Sequence, residues 1–106
     1  MTEQPNLSYI DELSGGDEEF KNKMLSILKK ELPEEKEYYL NTIKNKDFGQ
    51  SAQIVHKIKH KISILGMEKT YTFAEKHEDD LKGGVADFHP EFLKILEKMS
   101  NFLMNV

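Results

Sequence analysis

Val55–Gly66 reads VHKIKHKISILG, two histidines four residues apart among alternating lysines and isoleucines. The spacing predicts a helix. At about 100° per residue, Ile54, Val55, Ile58, Ile62 and Leu65 gather on one side. His56 points roughly 140° away from the centre of that cluster, and His60 lies farther round. Neither reads as a core histidine. Gln53, Lys59, His60 and Ser63 are the helical neighbours of His56. Ile64 is the one apolar residue expected on the same wet side.

This helix is expected from about Phe48 to Leu65, capped by Asp47 and closed by Gly66. Before it, a short helix is expected over Leu7 to Leu13, broken by Ser14-Gly15-Gly16. Asp17 then caps a long helix whose first turn holds Glu18 and Glu19, as the positive end of a helix dipole favours. Its apolar residues are Phe20, Met24, Ile27, Leu28, Leu32, Tyr39, Leu40 and Ile43. Pro33 lies inside this pattern and is expected to bend or split it. A further helix runs from about Met67 to Leu81 and ends at Gly83-Gly84. The last begins near Pro90 and carries the stripe Phe92, Ile95, Leu96, Met99, Phe102, Leu103 and Val106. No segment alternates like a strand. The expected fold is all-α: an antiparallel four-helix bundle with a short additional N-terminal helix.

The 106 residues suit one domain, with the bundle core over about 17–105. No apolar run approaches the roughly 20 residues of a membrane span, and the N-terminus lacks the pattern of a signal peptide. A cytoplasmic protein is expected. The absence of cysteine excludes a disulfide framework, a thiol nucleophile and a cysteine zinc site. A net charge of -4 argues against nucleic-acid binding, and makes the lysine-rich segment a local exception.

The segment resembles the histidine phosphotransfer (HPt) domains of two-component phosphorelays. Their signature is an acceptor histidine, a lysine three residues later, and Leu-Gly at nine and ten; here these are His56, Lys59, Leu65 and Gly66. Gly16-Asp17 with Phe20, and Ala74 with Glu78, agree with the family's flanks. His60 stands where most members have glycine, and Thr70 and His77 where leucine is usual. The resemblance implies that His56 takes a phosphoryl group from a receiver-domain aspartate, or from a hybrid histidine kinase, and passes it to another receiver. The chain would be a carrier with a transient phosphohistidine, since it has no ATP-binding motif.

A neutral imidazole is a good nucleophile near pH 7. Lys59 would offset the phosphoryl charge. Glu78 would orient the ring, although as a single residue it reads more simply as a surface charge. Lys57, Lys59 and Lys61 would steer an acidic partner, with His60, Gln53, Ser63 and Ile64 tuning or docking. Mg2+ would belong to the receiver, with no cofactor or metal on this chain. A monomer is expected, with no nucleic-acid or membrane partner. Two alternatives are an HPt-like module that binds a regulator without carrying phosphate, and a metal site on His56 and His60. The surrounding lysines would repel a cation from the latter.

Overall fold

Short polar side chains start two of the principal helices. In the computed structural model, which describes residues 3–106, the Asp17 carboxylate accepts from the Phe20 backbone N–H at 3.1 Å and opens α2, Glu18–Lys44. Asp47 accepts from Gln50 N–H at 3.4 Å and opens α3, Phe48–Ile64. Before them lies α1, Ser8–Ser14; after them come α4, Glu68–Lys82, and α5, His89–Met104, with Pro90 in its first turn. The chain is all-helical, with no strand among the described residues.

Helix α3 packs against both α2 and α4, α5 packs against the same two helices, and α1 lies on α2. Between them sit Leu28, Leu32 and Tyr39 of α2, Val55, Ile58 and Ile62 of α3, Ala74 and Leu81 of α4, and Phe92, Leu96 and Met99 of α5. Leu65 and Met67 close the core beside the α3–α4 turn. The turn itself needs Gly66. Its φ is +77°, and a Cβ there would come within 2.6 Å of the Asn6 side chain. Asn6 N–H in turn donates to Leu65 C=O at 2.8 Å, which ties the N-terminal segment to the end of α3.

Of the two outcomes expected at Pro33, the split does not occur: the helix runs unbroken through it. Proline removes one backbone bond, but buried Leu28, Leu32 and Tyr39 hold the helix to its neighbours on both sides of that gap. The apolar stripe is also narrower than expected. Phe20, Ile27 and Leu40 are exposed, whereas Leu25 joins the core. On α5, Phe92, Ile95, Leu96, Met99 and Leu103 are buried as the spacing predicts and Phe102 is partly buried, while Val106, beyond the helix end, is exposed.

Candidate functional site

Seventeen residues of α3 put His56 at its midpoint, on the strip that neither α2 nor α4 covers. Gln53, Lys57, His60 and Ser63 share that exposed strip. Ile64 does not: it is partly buried and packs on the core.

The two flanking lysines are buried, contrary to the solvated face expected of them. At 100° per residue, Lys59 lies about 60° to one side of His56 and Lys61 about 140° to the other. These are the shoulders of the helix, where α4 and α2 meet it. Lys59 Nζ lies 3.0 Å from Glu78 Oε1 of α4, as an ion pair. It also sits 5.4 Å from the centre of the Tyr71 ring. Lys61 Nζ reaches the other way, to Glu31 at 3.0 Å and Glu35 at 2.9 Å on α2. Lys61 is therefore not part of the basic face. Lys57 is the one lysine of the three that stays exposed.

Glu78 is the centre of the arrangement, which corrects its reading as a surface charge. Its side chain is 7% exposed, and it gathers three partners. His56 Nδ1 is 3.2 Å from Oε2, Lys59 is at 3.0 Å from Oε1, and Lys82 lies 3.5 Å from Oε2. Burial opposes ionisation of this carboxyl. The contact and charge of Lys59, with His56, outweigh burial and hold its pKa below the usual value. Lys59 shows the mirror image. Burial disfavours its ammonium, but Glu78, aided by Tyr71 and Glu75, raises its pKa above the ordinary value. Both partners are charged at neutral pH.

An ionised carboxylate only accepts hydrogen bonds, so Nδ1 of His56 carries the proton that it donates to Glu78. In the neutral ring the lone pair then lies on Nε2. The imidazole is 54% exposed, and the His60 ring stands perpendicular to it with centroids 5.0 Å apart. One nitrogen is held and the other is free to react.

No family model, curated protein or solved structure matches this chain. The chemistry of the side chains must carry the reading. Among the described residues, no group of three or more histidines, cysteines or carboxylates is placed to hold a metal ion, and no helix is long and apolar enough to cross a membrane.

The sequence reading missed two features. Lys82 is four residues after Glu78, a spacing that signals an intrahelical ion pair. A second polar cluster lies at the edge of the core, with Tyr39 and His77 buried and His89 partly so. The Tyr39 hydroxyl is 2.8 Å from His77 Nε2 and 2.8 Å from His89 Nδ1. With one proton to give, it donates to one ring and accepts from the other. Burial, with the charge of His89, lowers the His77 pKa to about 4. Burial also lowers that of His89 and raises that of Tyr39.

Proposed function

We propose that the protein is a histidine phosphotransfer domain, an antiparallel four-helix bundle with an added N-terminal helix, and that His56 is its phosphoryl acceptor. The observation that carries this reading is the Nδ1–Glu78 contact at 3.2 Å, beside a ring that is half exposed. A surface histidine needs no buried carboxylate behind it. A nucleophile does benefit from one, because the contact fixes the tautomer and aims the ring.

The step balances on these atoms. The Nε2 lone pair attacks the phosphorus of an aspartyl phosphate in a receiver domain. The N–P bond forms, the P–O bond to the aspartate breaks, and the carboxylate leaves with the bonding electrons. The proton on Nδ1 stays in place, so positive charge develops on the ring. Glu78 is already positioned to stabilise that charge. Lys59, paired with Glu78 at 3.0 Å, keeps that carboxylate ionised behind the ring. Mg2+ acts in the receiver, where it serves the aspartyl phosphate. The chain is a carrier, loaded by one partner and unloaded by another.

Incubation with a phosphorylated receiver domain tests the reading. The label is expected on His56, lost in acid and retained in base, as for a phosphoramidate. His56→Gln should abolish labelling with the helical spectrum unchanged, whereas His60→Gly should still be labelled. Label on His60 in the His56 variant would overturn the assignment.

A further inference from the structure

His56 and His60 stand in a relation that phosphoryl transfer does not require. They occupy successive turns of one exposed strip, with ring centroids 5.0 Å apart at an angle of 90°. Imidazoles at i and i+4 can bind one metal ion together, because a rigid helix holds both rings on one side. His56 brings a second feature of such sites. Its Nδ1–H is engaged by the Glu78 carboxylate. That pairing orients a ligating histidine and makes its other nitrogen a better donor.

The objection to a cation here was the surrounding lysines, and their positions remove much of it. The Lys59 charge is compensated by Glu78, and Lys61 is turned to Glu31 and Glu35 on α2. Lys82, on α4 and largely exposed, shares the same single Glu78 charge at 3.5 Å, so its own charge stays only partly compensated. Only Lys57 stands exposed beside the pair on α3.

We propose that Nε2 of His56 and a ring nitrogen of His60 chelate a divalent transition-metal ion of the zinc or copper type. No third side chain of the usual ligand types joins them among the described residues. Water fills the other positions, and the ion is exchangeable, unlike a closed four-ligand structural zinc. Imidazole donors favour zinc and copper over magnesium, so the Mg2+ that a receiver needs does not compete. One consequence rests on the phosphotransfer reading. The Nε2 lone pair cannot hold a metal and attack phosphorus at once, so metal binding reversibly blocks acceptance. His60, at a position where glycine is usual, then confers metal sensitivity.

Calorimetric titration of tag-free protein with zinc chloride tests the site without any phosphotransfer. One ion per chain is expected. His56→Gln and His60→Gln should each weaken binding about a hundredfold, since either loses the chelate. Glu78→Gln should weaken it by about tenfold or more with both ligands present, and Lys57→Gln should not weaken it. Magnesium chloride should give no binding. The proposal is overturned if zinc does not bind, or if both single-histidine variants bind it as tightly as wild type. The block is read separately as zinc-dependent loss of phosphohistidine in wild type but not in His60→Gln. Equal loss in both removes the regulatory role. If neither is labelled even without zinc, the phosphotransfer reading fails while the titration still decides the metal site.

Discussion

Glu78 shows how one buried carboxylate can organise a reactive surface. Replacing it with glutamine keeps the shape but removes the charge that Lys59 and Lys82 face. We expect Glu78→Gln to cost about 1–3 kcal/mol at pH 7, read from urea unfolding, because Lys59 is left buried without its counter-charge. The pH dependence follows from the sign. The folded carboxyl has its pKa below the ordinary value of 4.5, so its contribution is complete above that value and fades as pH falls. The gap between wild type and variant should close in acid. A gap of constant size would assign the loss to packing instead. The exposure of His56 was legible in the sequence because helical spacing is local; the burial of Lys59 was not. Nor was that of Glu78, because it depends on where α4 sits against α3, and one helix's periodicity does not report its neighbours.

The same limit explains Lys61. On a helical wheel it looks solvated, yet α2 covers that shoulder of α3 and supplies Glu31 and Glu35. Those two carboxylates are four residues apart and lie on either side of Pro33, so one ammonium ties together the stretch next to the backbone bond to Lys29 that the proline removes. Lys61→Met is therefore expected to destabilise the protein by about 1–3 kcal/mol. Part of that loss should vanish in a Pro33→Ala background, where the backbone bond is restored and the bridge matters less. Pro33→Ala alone should raise stability, as alanine is the better residue inside a helix. A double-mutant cycle on urea midpoints checks this, and strict additivity would mean that the bridge and the proline are independent. With Lys59 and Lys61 both engaged internally, the proposed steering of an acidic receiver would rest on Lys57. Lys57→Ala should slow association at low salt, with the difference fading as salt screens the exposed charge. An association rate unaffected by Lys57→Ala would mean that this charge does not steer the partner.

Across the whole molecule, the all-helical architecture was legible because amphipathic spacing and caps repeat along the chain. The polar cluster of Tyr39, His77 and His89 was not, since no local pattern joins residues from three helices. His77 has no exposed surface, its Nδ1 has no hydrogen-bond partner among the described residues, and its ring packs against Phe92 at 4.9 Å between centroids. Protonation there would bury a charge, which the nearby His89 further opposes. The folded pKa of about 4 lies below the ordinary 6.5, so the unfolded chain takes up the proton first. The stability that His77 contributes in its neutral form is therefore present above pH 6.5 and is lost as pH falls toward 4. The loss amounts to as much as about 3 kcal/mol. His89 shifts in the same direction and adds to it. His77→Leu removes the larger of these titrations and leaves Tyr39 its partner in His89. We expect the variant to lose less stability than wild type between pH 7 and pH 5 in urea unfolding, while the helical spectrum is the same for both. Equal losses in the two proteins would place acid sensitivity at the surface carboxylates rather than in the core cluster.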